Sequence, residues 1–221
     1  MPEIGFAGQD KISEAKVLVI GAGGLGCPVL LYLAGMGVGT LGIVDNDTVH
    51  LSNLHRQILY KEIDIGKPKA EIASDYIRHL NSSIHIIPLV ERITNNNIES
   101  ICTNYEIIVD CTDNVESRTT LSNYGNRLDK PVVFGAVQQF EGMVTVFNKQ
   151  FTFNNLFPEN SILPNTSCAQ EGILGHVAGH VACLMVNEVV KIILGLEGVL
   201  SGKLLTTNLK SGRQRIFFLN T

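Results

Sequence analysis

Five groups of residues in this 221-residue chain have the types and spacing that could do chemistry. Gly21, Gly23, Gly24 and Gly26 form a G-x-G-x-x-G turn. Lacking side chains, such glycines let backbone N–H groups and a helix N-terminus come close to a phosphate. Asp45 follows where an acid can accept a ribose hydroxyl, with Asp47 just beyond it. Ser52, Asn53, Arg56 and Gln57 come next, then Lys69, and finally Asp113 and Asn114. Alone, the glycine turn is weak evidence for any reaction. Its default is a nicotinamide-linked oxidoreductase, with which Asp45 is compatible. The residues after Asp45 suit a triphosphate and its metal better. Arg56 and Lys69 can neutralise phosphate charge, and a carboxylate such as Asp113 can hold Mg²⁺. No G-x-x-x-x-G-K-[ST] occurs, so a P-loop NTPase is excluded.

These groups need a scaffold, and the apolar pattern supplies one. Residues 16–20 read as a buried strand, 29–33 begin a helix punctuated by Gly35, Gly37 and Gly39, and 41–44 read as a second strand. A polar loop then opens a short helix that Ser52 could cap. Pro68 suits the first turn of an amphipathic helix over 70–80. Strands are predicted at 84–89, 107–110 and 131–136, and helices at 98–105 and 115–128. This alternation predicts an α/β, Rossmann-like doubly wound, mostly parallel sheet, whose strand carboxyl ends carry Asp45, Asp47, Asp113 and Asn114. Beyond Gly135 the pattern changes. A strand at 143–147, a loop-like stretch at 148–170 and a long apolar helix over 173–196 precede an antiparallel pair, 203–207 and 213–219, that turns at Ser211-Gly212. Residues 2–14 read as a lead-in segment. A single domain is expected, with its nucleotide-binding part over 1–136.

Composition narrows the function classes. The chain is 45% apolar with net charge −4 and no basic block, which argues against nucleic acid as the main partner. No run of 18 consecutive apolar residues occurs, so no membrane span is indicated. The start, MPEIGFAGQDK, has neither a basic n-region nor an apolar h-region. Five scattered cysteines without a C-x-x-C pair point to a reduced, cytoplasmic protein and give no support for structural zinc. Cys27, Cys102 and Cys183 fall on apolar helical stretches and are expected in the core, with Cys111 packed at a strand end. His176 and His180 are four apart but lack a third ligand, so they read as structural.

Six segments together resemble the MoeB/ThiF/HesA adenylating enzymes, relatives of the ubiquitin-activating enzymes. Gly21-Ala22-Gly23-Gly24-Leu25-Gly26 is similar to the family's G-x-G-G-L-G, and Asp45-Asn46-Asp47 to its D-x-D. Leu51-Ser52-Asn53-Leu54-His55-Arg56-Gln57 resembles L-S-N-L-x-R-Q, and Gly66-Lys67-Pro68-Lys69 resembles G-x-x-K. Asp110-Cys111-Thr112-Asp113-Asn114 resembles D-x-x-D-N, and Ser167-Cys168-Ala169-Gln170-Glu171-Gly172 the family's cysteine-containing loop.

The resemblance implies ATP-dependent adenylation of the C-terminal glycine of a small ubiquitin-like sulfur-carrier protein ending in Gly-Gly. Gly24 would then lie under the phosphates and Asp45 on the ribose. Asn53, Arg56 and Lys69 would steady the triphosphate, Asp113 would position Mg²⁺ with Asn114 beside it, and Cys168 would match the loop cysteine that some members use. Residues 137–221 would bind the carrier and form a homodimer. Three departures stand out. The chain begins after the place where the family's Arg-Tyr-x-Arg segment would fall, which implies a truncated start or weakened activity. The zinc C-x-x-C pairs are missing, so no zinc is expected. No rhodanese-like extension follows, so a separate sulfur donor is implied. A degenerate carrier-binding module and a tRNA-modifying dehydratase relative are the other readings within this resemblance.

Overall fold

The computed structural model describes residues 4–158 and 172–219. Its centre is one eight-stranded sheet. In chain order the elements are α1 (Gly5–Glu14), β1 (Lys16–Ile20), α2 (Gly26–Met36), β2 (Thr40–Val44), α3 (Lys69–Leu80), β3 (His85–Leu89), α4 (Ile98–Cys102), β4 (Ile107–Asp110), α5 (Val115–Leu128), β5 (Val132–Gln138), β6 (Glu141–Phe147), α6 (Phe153–Leu156), α7 (Gly175–Leu194), β7 (Lys203–Asn208) and β8 (Arg213–Phe218). The order across the sheet is β3-β2-β1-β4-β5-β6-β7-β8. Its first five strands run parallel and its last three antiparallel. The expected α/β doubly wound sheet with antiparallel C-terminal strands is therefore present.

Register positions the site. Ile20 lies opposite both Val44 of β2 and Asp110 of β4. The residues that follow these strands, Gly21, Asp45 and Cys111, therefore emerge side by side. β1 is also where the strand order reverses direction, the place at which open α/β sheets form a ligand crevice. Gly21 takes φ +92°, and a Cβ there would stand 2.7 Å from the Cys111 carbonyl. Only glycine lets the two loops touch.

Two apolar cores flank the sheet. One joins β1 and β2 to α2, α3 and α7 through Leu30, Leu33, Ile77 and Met185. The other covers the opposite face with Phe134, Phe147, Phe151 and Phe153, in which Phe134 and Phe153 meet edge-on at 5.8 Å. By length and composition α7 could cross a membrane, yet half of it is buried, packed on β5 and β6. Small residues beneath it permit this. A Cβ at Gly135 would overlap Met185 Sδ, and one at Gly142 would overlap Val181 Cγ2. The buried Glu188 carboxylate accepts the Leu200 N–H at 2.8 Å and pairs with Lys191, fixing the far end of α7 to the next loop.

Three local expectations need correction. The lead-in segment contains a helix, α1, anchored by buried Ile12; few apolar contacts hold it, so periodicity hardly reveals it. Ser52 does not cap the 3₁₀ turn Leu51–Asn53, which follows His50 without a side-chain cap. Its carbonyl instead accepts Arg56 Nη1 at 3.2 Å. Cys183 is exposed, not core, because α7 buries Val181, Ala182, Met185 and Val186 and turns residue 183 outward.

Candidate functional site

The three loops at the carboxyl edge enclose a cavity of about 500 Å³. Its floor is the turn between β1 and α2. A Cβ on Gly26 would overlap the Gly21 carbonyl, so this glycine closes the turn and does not itself line the cavity. Gly23 and Gly24 do line it, with Gln57 and Arg56 next to them. A Cβ on Gly24 would sit 3.4 Å from the Arg56 side chain, and one on Gly23 would sit 3.5 Å from Gln57 Nε2. The glycines thus leave room between backbone and cations where an anion fits.

Asp45 is half-buried and fully engaged with the chain. Oδ2 accepts the Ala22 N–H at 2.7 Å, and Oδ1 accepts the Asp47 N–H at 2.8 Å. Burial pushes its carboxyl above the ordinary carboxylate range, and these two N–H bonds pull the other way. Each oxygen keeps lone-pair capacity for a hydroxyl. Lys69 opens α3 directly after Pro68, and its buried ammonium reaches Asp47 Oδ2 at 3.0 Å. Asp47 is largely exposed, so the pair is half solvated and the lysine charge stays available to the cavity.

On the β4 side, Asn114 caps α5, its Oδ1 accepting the Ser117 N–H at 2.9 Å. Asp113 precedes the cap, exposed, with no hydrogen bond or ion pair among the described residues. Asp110 is fully buried. Its Oδ1 accepts Thr112 N–H at 2.9 Å and Thr112 Oγ1 at 2.7 Å, while Oδ2 has no partner among the described residues. Burial raises its pKa above 3.8, opposed chiefly by the Arg118 charge.

Of the sequence-predicted residues, Gly21, Gly23, Gly24, Asp45, Asp47, Asn53, Arg56, Gln57, Lys69, Asp113 and Asn114 all line this one cavity. Gly26 and Ser52 stand off its wall. Cys168 lies outside the described residues. Beneath the floor, burial pushes the Cys27 thiol up to about 12 and raises Cys111 as well, so both stay protonated and inert. Tyr60 donates to the Ala22 carbonyl at 2.7 Å and steadies the turn from below.

Two further arginines stand at the site without any motif in the sequence that singles them out. Arg118 donates Nε and Nη2 to the Thr112 carbonyl at 3.2 and 2.8 Å, with its guanidinium 5.3 Å over the Phe134 ring. Its signal was local: a helix capped at Asn114 brings residue 118 one turn round, back over the loop. Arg92 pairs with Glu116 at 2.9 Å. Both arginines also line a second, larger groove of about 880 Å³, which runs from Asp113 along β6, β7 and β8 past Met143, Arg215 and Phe217.

Comparison with known proteins places this arrangement. The ThiF family profile matches residues 1–220. The adenylyltransferase and sulfurtransferase MOCS3 of Culex quinquefasciatus is 46% identical over 209 residues, covering 93% of this chain and 48% of that protein. A probable molybdopterin-synthase adenylyltransferase of Porphyra purpurea is 42% identical over 214 residues, covering 94% of this chain and 56% of that protein. The sulfur carrier protein adenylyltransferase of Thermus thermophilus is 38% identical over 213 residues, covering 93% and 79%. The chain spans about half the length of the first of these relatives. In structure, E. coli MccB with ATP superposes at TM-score 0.83 and 23% identity, covering 96% of this chain and 66% of that one, a likeness of fold.

Proposed function

This chain belongs to the ThiF family, and on that premise we propose that it uses ATP to adenylate the C-terminal glycine carboxylate of a small ubiquitin-like sulfur-carrier protein. A carboxylate oxygen forms a bond to the α-phosphorus. The bond from that phosphorus to the bridging β-oxygen breaks, and pyrophosphate leaves with the electron pair. The carrier is left as a mixed anhydride with AMP. No proton moves at the carboxylate, so the chain's task is positioning and charge neutralisation.

One observation carries this reading: the glycine-floored cavity and the larger groove share a wall at Asp113, Asn114 and Arg118. A nucleotide in the first and a protein tail in the second would meet there. Arg56 and Lys69 would neutralise the triphosphate, Asp45 would take the ribose, and Asn53 and Gln57 would donate from the side. The buried, unpartnered Gln57 Oε1 fits a polar group expected next to a ligand. Asp113 would hold Mg²⁺, which screens phosphate charge when bound. Among the described residues no cluster of three His, Cys, Asp or Glu occurs. A single carboxylate suits a metal that takes its other ligands from phosphate and water.

The finer assignments rest on the same reading. The carrier would be of the ThiS or MoaD type. Names of relatives refer to molybdopterin synthase and to sulfur carriers, which favours molybdenum-cofactor over thiamine synthesis. The sulfur would come from a separate donor, the working form would be a cytoplasmic homodimer, and Cys168 would be the loop cysteine. The test is ATP–pyrophosphate exchange with each Gly-Gly carrier of the host. Exchange that requires one carrier, and falls about 100-fold or more in Asp113→Ala, is expected. ATP binding without exchange by any carrier would contradict it.

A further inference from the structure

The nucleotide cavity and the larger groove share six described lining residues: Arg92, Asp113, Asn114, Arg118, Val137 and Ile173. Under the adenylation reading, an incoming carboxylate must come to rest at this junction, against the α-phosphate and beside Asp113. Three anionic groups then converge in a recess, and the arrangement needs a cation that is already in place. Two are present. Arg92 is exposed and neutralised by Glu116 at 2.9 Å. Arg118 is different. Its Nε–Nη2 edge is fastened to the Thr112 carbonyl, its guanidinium carbon lies over the Phe134 ring, and its charge acts on buried Asp110. Its Nη1 makes no hydrogen bond among the described residues, and Arg118 lines both spaces, so the guanidinium keeps donors for a ligand at the junction. A guanidinium locked on one edge and open on the other is pre-organised to grip a carboxylate with two parallel bonds.

We infer that Arg118 is the receptor for the substrate's terminal carboxylate, holding it by two N–H donors while one oxygen attacks the α-phosphorus. This rests on the adenylation reading. Asp110 and Thr112 are positioning residues that aim Arg118, and Arg92 guards the rim.

The experiment compares wild type, Arg118→Ala and Arg118→Lys against Gly-Gly carriers prepared as the C-terminal acid and as the C-terminal carboxamide. Calorimetry gives Kd for each carrier form and for a non-hydrolysable ATP analogue, and pyrophosphate exchange gives kcat and KM for the acid form. Wild type should bind the acid at least about 10-fold tighter than the amide. Arg118→Ala should bind both alike, and its exchange kcat/KM for the carrier should fall about 100-fold. Its affinity for the ATP analogue should change less than about 3-fold, a readout that general damage to the loop would not spare. Should Arg118→Ala fail to fold, Arg118→Lys keeps the charge facing Asp110 but loses the planar fork, and a reduced acid preference carries the same conclusion. An acid preference unchanged in either variant would overturn the assignment. So would a tenfold loss of ATP-analogue affinity with the acid preference intact. Absence of exchange by wild type with every carrier would instead overturn the adenylation reading, and this assignment with it.

Discussion

Two regions of the sheet present opposite surfaces. Around β1, β2 and β4 most of the polar side chains are held by the chain itself. Asp45 is held by Ala22 and Asp47, Lys69 by Asp47, Asn114 by its own helix, and Tyr60 by Ala22. Around β7 and β8 the polar groups are bonded too, but large apolar side chains are left exposed. β8 is exposed along its whole length, the last strand of the sheet among the described residues, with Ile216, Phe217 and Phe218 open to solvent. The first region is largely pre-set, as positional catalysis requires, with Gln57 Oε1 and Asp110 Oδ2 left open among the described residues. The second presents an incomplete surface of the kind a protein partner completes. A nucleotide needs fixed donors, whereas a folded partner needs area, and the proposed function would draw each from a different part of one sheet.

The comparison breaks most readily at the glycine floor. Gly26→Ala places a Cβ on the Gly21 carbonyl. We expect a loss of about 3 kcal/mol of stability in denaturant unfolding and no measurable ATP binding. A smaller effect is expected at the other end. Gly142→Ala drives a Cβ into Val181 and should lift α7 from β6, at about 2 kcal/mol, while ATP affinity stays within about 3-fold. A tenfold loss of ATP affinity there would show that the two regions are not independent. Next comes pH. Burial raises the folded pKa of Asp110 above 3.8, so the folded chain holds that proton more tightly than the unfolded one. The contribution to stability is full below 3.8 and is lost as pH rises through the raised value. Asp110→Asn should therefore flatten melting temperature against pH in that window by a few degrees; an unchanged slope would contradict it. Smallest is Phe217→Ser on β8, expected to change stability by less than about 0.5 kcal/mol while weakening carrier binding. A large loss of stability would mean that β8 belongs to the core.

What was legible in the sequence follows the same divide. β1, β4 and α5 were predicted to the residue, because buried apolar runs end there at Gly21, at Cys111 and at the Asn114 cap. Eleven cavity-lining residues were named in advance because a parallel sheet gathers its strand ends into one place. Other features depended on packing. α7 is apolar on nearly every side, so its composition did not tell which face Cys183 occupies. Arg118 looked like any helical arginine until α5 was seen to turn it onto the Thr112 carbonyl. α1 carries two glycines and a single large buried side chain, Ile12, so nothing in its pattern announced a helix.

On the proposed function, the α-phosphate side of ATP passes to a protein carboxylate. It is tested most directly by incubating the protein with ATP, Mg²⁺ and each Gly-Gly carrier, then weighing the carrier by intact-mass spectrometry while assaying released pyrophosphate. One carrier should gain the mass of a single adenylyl group (AMP less water) on its terminal glycine, with pyrophosphate released in equal amount. A carrier of unchanged mass, with ATP bound but neither cleaved nor exchanged, would contradict it.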